Sequence, residues 1–441
     1  MRLLISIFIC KALRYVLKHF GRGSSMPGKV VLKLYPNILS KITMPKYIIA
    51  VTGSNGKTST VEMINQVLQK SGFTVAYNSE GSNQIDGVAT LILDNCSIKG
   101  VFDKDVLLLE SDERYAQYTF KYFAPTHYVI TNLGRDQMTR NGNPEYVFEQ
   151  IKKSIHPEST LILNCDDPTI MSLDKEENKT YYFGINDNSY TKEENDFIYD
   201  DGHYCPKCKA KLIYKYHHYG HIGDYKCSKC SFKRKKPNYF ISDIDLLNGY
   251  ININNKYDIK LSFNSVYYAY NILAAYSVAN IIGAEPKKIA NALNDYSIKN
   301  GRLINFALGL NRGILLISKH ENSVSYNQNI DYIVNQKRNC AVFIMVDEIS
   351  RKYFTSETSW LWDINFEQLI NKNVKEIVVT GTYAADVSVR LSHTNIDSKK
   401  IYINKNISEA IKHVKDGDNY IYVLTCFSDQ HKFIKEVEAT W

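Results

Sequence analysis

Residues 49 to 59 read Ile-Ala-Val-Thr-Gly-Ser-Asn-Gly-Lys-Thr-Ser, an apolar stretch running into a glycine-rich turn that ends in Gly56-Lys57-Thr58. Few local sequences restrict a fold as much. A buried strand must deliver the chain, a turn must aim backbone N–H groups at an anion, and a helix must start at the lysine. In that arrangement Thr52, Gly53, Asn55, Gly56 and Ser59 form the loop, Lys57 reaches the β- and γ-phosphates, and the Thr58 hydroxyl ligates Mg²⁺. Position 51, where the strict P-loop spacing has a glycine, is Val51, so the loop is a shortened variant. The helix expected next, Thr58 to Lys70, carries Val61, Ile64, Val67 and Leu68 at helical period. The reading is an ATP-binding α/β protein.

The rest of the chain supports an α/β class. Short β-branched runs at Tyr47–Val51, Thr74–Tyr77, Asp105–Leu109, His127–Thr131 and Thr160–Asn164 alternate with helical stretches, as in a mostly parallel sheet covered on both faces. Alternation resumes with Ile251–Leu261 and an alanine-rich helix, Tyr267–Ile282. After Gly301-Arg302, the runs Gly313–Ile317, Ala341–Val346, Glu376–Thr380 and Tyr420–Thr425 predict a second, Rossmann-like α/β domain. A length of 441 residues accommodates this. The net charge of +8 suits anionic ligands and lacks the clustered excess of a nucleic-acid binder, so no nucleic-acid partner is expected.

The segment 200–237 is different in character. Cys205-Pro-Lys-Cys208 and Cys227-Ser-Lys-Cys230 are two CxxC knuckles, and the stretch between them has the length of a zinc ribbon. Four thiolates leave no open coordination position, so the expected zinc is structural. The lysines around them (Lys207, Lys209, Lys211, Lys226, Lys229, Lys233, Lys235 and Lys236) read as a solvated face. The remaining cysteines are scattered singly, a pattern of a reducing compartment that predicts a cytoplasmic chain. The N-terminal run Leu3–Cys10 is apolar, is broken by Lys11 and Arg14 and is too short to span a bilayer; continued to Phe20 it makes a helix with basic residues on one side. A helix packed on the body is the first reading, and one lying on the inner leaflet of a membrane the second.

A magnesium site needs carboxylates at strand ends on the phosphate side of the sheet. Leu107-Leu-Leu-Glu110-Ser-Asp112-Glu113 fits, with Glu110 the first polar residue of the strand and so the metal candidate. Asn132…Asp136 and Asn164-Cys-Asp166-Asp167 bring polar groups to the same edge.

Together Thr52–Ser59, the Glu110 strand, Asn132…Asp136, Leu163-Asn-Cys-Asp-Asp-Pro168, Tyr270-Asn271 and Gly301-Arg302 resemble the Mur ligase family. Within it the likeness is to the MurT group, ligase subunits of lipid II isoglutaminyl synthase. That narrower likeness is carried by Gly21-Arg-Gly-Ser-Ser-Met-Pro-Gly-Lys29 with Pro36-Asn-Ile-Leu39, by the four-cysteine insertion, and by Ser359-Trp-Leu-Trp-Asp363-Ile-Asn-Phe-Glu367. The resemblance implies an N-terminal helix and loop (1–45), a central ATP-binding domain (46–300) with the ribbon inserted at 203–235, and a C-terminal MurT-type ligase domain (301–441). It also implies a reaction. ATP activates the α-carboxyl of D-glutamate in the lipid II stem peptide as an acyl phosphate, and ammonia from a GatD-like glutaminase partner displaces the phosphate, leaving D-isoglutamine. Lys57 and Glu110 would serve that chemistry, Asn271 and Arg302 would lie by the nucleotide, and Asp363 matches an aspartate that assists across the glutaminase interface.

Departures concentrate in the second half. Lys319-His320-Glu321 replaces a Lys-Asn-Pro stretch, Thr425-Cys-Phe-Ser428 a Thr-Tyr-Thr-Ala motif, and Tyr353-Phe-Thr-Ser-Glu357-Thr a segment rich in Asp and Gly. Gln137 stands where many Mur ligases carry histidine. Two alternatives therefore accompany the amidating ligase: a divergent paralogue acting on another carboxylate without a glutaminase, and an ATP-binding scaffold that has lost ligation.

Overall fold

The structure, a computed structural model, describes residues 1–21, 23–78, 81–298, 303–349, 356–415 and 419–439. Gly301 and Arg302, and residues 353–355 of the departing Tyr353–Thr358 segment, lie outside the described residues.

The first sheet contains β1 (Tyr47–Thr52), β2 (Val75–Tyr77), β3 (Val106–Glu110), β4 (His127–Ile130), β5 (Thr160–Asn164) and β6 (Thr180–Ile185). The chain then leaves to form a separate two-stranded ribbon, β7 (Leu212–Tyr219) and β8 (Ile222–Cys227), and returns with β9 (Tyr239–Asp245), β10 (Tyr250–Ile253) and β11 (Tyr257–Lys260). The nine strands run in the order β11-β10-β9-β6-β5-β4-β1-β3-β2, parallel from β2 to β9 and antiparallel at the far edge. β1, β3, β4 and β5 are apolar almost without interruption because helices cover both faces. The stretch 251–261 is a hairpin and not one strand: Asn254 and Asn255 take left-handed φ of 55° and 57°, and the chain reverses there.

One face of this sheet is closed by helices Lys57–Lys70 and Val266–Ile281. The second is buried from Val266 through Ala279, and Ala269, Ala274 and Ala275 keep its surface low enough for close packing. The other face carries helices Arg2–Lys18, Met26–Leu34 and Ile85–Asp94. Gly28 allows the last two to touch, since a Cβ there would lie 2.0 Å from the Asp86 carbonyl oxygen.

The second sheet is formed by β12 (Leu303–Leu308), β13 (Asn311–Ser318), β14 (Cys340–Met345), β15 (Val374–Thr380), β16 (Ile401–Ile403) and β17 (Tyr420–Cys426). Its order is β12-β13-β17-β14-β15-β16, parallel except for the edge strand β12. Asn322 caps helix Ser323–Asn335 by accepting from the Ser325 N–H, and this cap sets the turn just after β13 against the first sheet's phosphate loop.

Candidate active site

The turn after β1 is held by backbone geometry. Gly53 and Gly56 have φ of 135° and 84°, and neither has room for a side chain: a Cβ would lie 2.2 Å from Thr131 Oγ1 at Gly53 and 2.0 Å from Asn271 Oδ1 at Gly56. Gly56 caps helix Lys57–Lys70, which leaves the first N–H groups of that helix available to an anion. The β4 end braces the turn from the side. Asn55 N–H donates to Asn132 Oδ1 (2.9 Å), and Asn132 Nδ2 donates back to the Asn55 carbonyl (3.0 Å). Ser54 N–H donates to the Asn132 carbonyl (2.9 Å), and the Gly134 N–H donates to Ser54 Oγ (3.0 Å).

Lys57 is buried, donates to the Gly53 carbonyl (2.5 Å) and pairs with Glu113. Burial works against its charge, but Glu113, Asp136 and Glu110 together outweigh that and hold the ammonium protonated. Burial pushes the Glu113 carboxyl up, opposed by Lys57 and Lys319. The carboxylate in contact with Lys57 is thus Glu113, three residues beyond the strand-end acid that the sequence points to. Glu110 is half-buried beside Val51 of β1, its backbone fixed by Asn78, which accepts from its N–H (2.8 Å) and donates to its carbonyl (3.1 Å). Thr58 is half-buried in the first turn of its helix.

From the second sheet a short clasp closes over the loop. Lys319 Nζ donates to the Ser54 carbonyl (2.6 Å) and lies 3.5 Å from Asp136. Asn322 Nδ2 donates to Asp136 Oδ1 (2.6 Å) and Asn55 Oδ1 (3.1 Å). The Glu321 carboxylate accepts from the Thr139 N–H (3.1 Å) and hydroxyl (2.5 Å), while its carbonyl accepts from the Gln137 N–H (3.0 Å). Gln137 and Glu321 both have left-handed φ, 48° and 46°. Two positions that depart from the family pattern therefore meet each other.

Beside the loop is a cavity with Gly56, Ser59 and Asn271 on one wall, Phe263 and Tyr268 on another, and Gln328 of the second sheet's first helix closing it. Aromatic walls with a few polar groups suit a nucleoside. The loop's N–H groups, Lys57, the Thr58 hydroxyl and the acids Glu110, Glu113 and Asp136 supply what a triphosphate with magnesium requires. The residues fit the group.

The third acidic strand end has a different task. Asp166 and Asp167 are fully buried. Asp166 accepts from Arg234 Nε (2.6 Å), Tyr270 OH (2.7 Å) and the Ile185 N–H (2.7 Å), and its carbonyl accepts from Gly223 of the ribbon (2.9 Å). Asp167 caps the next helix and accepts from the Leu133 N–H (2.9 Å). These acids tie the ribbon to the sheet and do not open onto the loop.

At the ribbon, the four Sγ atoms of Cys205, Cys208, Cys227 and Cys230 lie within 4.8 Å of one another. Cys205–Cys230 and Cys208–Cys227 are separated by 3.7 and 3.4 Å. A tetrahedron with Zn–S bonds of about 2.3 Å has edges of about 3.8 Å, so the set fits zinc. N–H groups of Cys230 and Lys229 donate to Cys227 Sγ and bring its thiol down to about 6, which favours the thiolate. The eight lysines around the knuckles are exposed.

Asp363 lies on a seam between the two sheets. It accepts from Arg135 Nη1 (2.8 Å); Arg135 also pairs with Asp201 (2.9 Å) and stacks 4.2 Å from the Tyr199 ring centre. Burial raises the Asp363 carboxyl, with Arg135 pulling the other way. Glu113, Lys319, Asn322 and the Arg135–Asp201 pair are the members that sequence reasoning did not single out. Glu113 stands there among the acids at and just past the end of β3, and Lys319 as the first residue of the departing Lys319-His320-Glu321 stretch.

Comparison with known proteins finds relatives over the whole chain. The Mur ligase middle domain family matches residues 51–279, and the MurT ligase C-terminal family matches residues 320–429. The chain is 27% identical over 448 residues to the lipid II isoglutaminyl synthase (glutamine-hydrolyzing) subunit MurT of Staphylococcus aureus (strain COL), an alignment covering 100% of this chain and 99% of that one. It is 30% identical over 427 residues to the protein of the same name from Streptococcus pneumoniae, with 95% and 93% covered. In fold it is similar to a solved pseudomurein peptide ligase type C from Methanothermus fervidus, with a TM-score of 0.70, 21% identity, and 92% of this chain and 80% of that chain covered.

Proposed function

The chain belongs to the Mur ligase family of ATP-dependent amide-forming ligases, and from that premise we propose that it is the ligase subunit of a lipid II isoglutaminyl synthase. It amidates the D-glutamate α-carboxyl of the lipid II stem peptide, in peptidoglycan synthesis, with ammonia from a GatD-like glutaminase, working at the cytoplasmic leaflet where that substrate's headgroup is exposed. What supports the reading most is the clasp, in which residues of the MurT-type C-terminal unit, Lys319 and Asn322, close on the phosphate loop of the Mur-type central unit.

A carboxylate does not react with ammonia, because its negative charge makes the carbon a poor electrophile and neither of its oxygens can leave. In the proposed sequence a carboxylate oxygen attacks the γ-phosphorus of ATP and ADP departs. Ammonia then attacks the acyl carbon, phosphate leaves, and a proton is lost to give the carboxamide. The protein's part is electrostatic. Lys57 exchanges the Gly53 carbonyl and Glu113 for phosphate oxygens, and Lys319 adds a second cation from the opposite side once the clasp is closed. Magnesium held by Thr58 and Glu110 would offset the remaining phosphate charge. Asn271 orients the nucleotide, a task the resemblance assigns to Arg302 as well. Asp363, paired with Arg135, either fixes that seam or turns toward the glutaminase. Zinc at Cys205, Cys208, Cys227 and Cys230 holds the ribbon. Elemental analysis of purified protein should find about one zinc per chain, lost in Cys208→Ser.

The test is to supply ATP, magnesium, lipid II and ammonium, or glutamine with and without the glutaminase, and analyse the product by mass spectrometry. The expected product is the carboxamide, formed from ammonium directly and from glutamine only with the partner. A peptide bond to an added amino acid would favour the divergent paralogue. No ATP-dependent phosphate release with any carboxylate would favour the scaffold.

A further inference from the structure

The N-terminal helix Arg2–Lys18 is apolar on two sides. Its inner side is spent on the body, where Ile7 and Cys10 are fully buried against helices Met26–Leu34 and Ile85–Asp94. Its outer side carries a second stripe, Leu4, Ile5, Phe8, Tyr15 and Val16, continued by Phe20 just past the helix end, and every one of these faces solvent. Phe8, Tyr15 and Phe20 keep 65%, 72% and 74% of their surface exposed. Met26 and Leu34 of the next helix are exposed as well. A helix that is apolar all round belongs in a core or in lipid, and large aromatic groups collected on one face mark a contact surface.

The charge around the stripe identifies what covers it. No aspartate or glutamate occurs before Glu62, while ten lysines and arginines do. Arg2, Lys18, Lys29 and Lys33 are exposed on these two helices. The acid facing this helix from a neighbouring element, Asp94, lies 3.9 Å from Arg14, and Lys11 donates to its carbonyl (2.5 Å). A second copy of the chain would bring the same cations to a symmetric interface and be repelled. A bilayer with anionic headgroups satisfies both features, taking the stripe into the acyl boundary and the lysines and arginines at the headgroups. Among the described residues no helix is long and apolar enough to cross a membrane. We propose that this face docks the chain on an anionic membrane surface, with helix Arg2–Lys18 lying in its plane. The proposal deepens the reading of a lipid-borne substrate and takes its purpose from it.

Flotation of the full-length protein with vesicles tests the surface. Vesicles of phosphatidylcholine with phosphatidylglycerol should bind it about tenfold or more tightly than phosphatidylcholine alone, and less as salt rises. The triple variant Phe8→Ser/Tyr15→Ser/Phe20→Ser, altered only at exposed positions, should melt with the parent and lose about tenfold or more of that binding. Lys18→Glu/Lys29→Glu/Lys33→Glu should abolish the preference for anionic vesicles. Equal, weak binding to both vesicles, or unchanged binding by the triple variant, overturns the proposal. So does a triple variant that loses self-association or a glutaminase complex while still binding vesicles. Amidation of a water-soluble stem peptide reads the ligase separately: vesicle binding without amidation supports the surface and removes the ligase reading.

Discussion

The phosphate loop and the clasp above it meet at Ser54 and Asn55 but are built differently. The loop is set by backbone: two glycines in left-handed φ without space for a Cβ, and N–H groups and carbonyls tied to Asn132 and Gly134. The clasp is set by side chains, through Lys319, Glu321 and Asn322 reaching Ser54, Thr139, Asp136 and Asn55. A backbone-built loop admits few residue types, because any Cβ at Gly53 or Gly56 collides with Thr131 or Asn271. A side-chain clasp can change its members in pairs. Gln137 and Glu321, both unlike the family pattern, are hydrogen-bonded through their backbones, a contact that depends on neither side chain and so withstands the drift in the second half.

If the two regions divide the work in this way, the loop carries catalysis and the clasp tunes it. Lys57→Ala should show the largest effect, about a thousandfold loss of ATP-dependent phosphate release, with the fold retained by circular dichroism. Lys319→Ala should lower kcat by about 10- to 100-fold, with a smaller change in the KM for ATP, because its charge matters most as phosphate is transferred. A Lys319→Ala enzyme with full activity would reduce the clasp to packing. Asn322→Ala should cost about 1–2 kcal/mol of stability in denaturant melts, since Asp136 Oδ1 loses a buried donor.

An effect of similar size, confined to the higher pH range, lies further along the clasp helix. Asp331 faces Lys192 and Asp196 of the first unit, and burial raises its carboxyl to about 6 against an ordinary 3.8. A carboxyl whose folded value lies above its unfolded one is harmless below pH 4 and costs stability as pH rises through that interval. Asp331→Asn should therefore gain about 1–2 kcal/mol near pH 8 and nothing near pH 4, read from melts at the two values. A gain at both would place the effect in packing.

The same contrast decides what could be read from the sequence. β1, β3 and β5 and the helix after Gly56 follow from apolar runs and period, and the structure places them within a residue or two. β6 and β9, Thr-Tyr-Tyr-Phe-Gly-Ile and Tyr-Phe-Ile-Ser-Asp-Ile-Asp, have half-buried, polar-broken patterns that do not stand out from loops. The spacing of the four ribbon cysteines is local, and the structure gathers their sulfurs as that spacing predicts. The contact of Lys57 with Glu113 is less so, because it depends on how the chain turns after β3. Lys319 with Ser54, and Arg135 with Asp363, join residues about two hundred or more positions apart, and no period or spacing encodes which surfaces meet.

The central claim is that this loop delivers a phosphoryl group to a carboxylate. Labelling the D-glutamate α-carboxyl of the substrate with heavy oxygen, and following the label during amidation, tests it most directly. Transfer through an acyl phosphate places one labelled oxygen in the inorganic phosphate released and leaves the other in the carboxamide. Phosphate released without label, while the amide forms, would contradict the account.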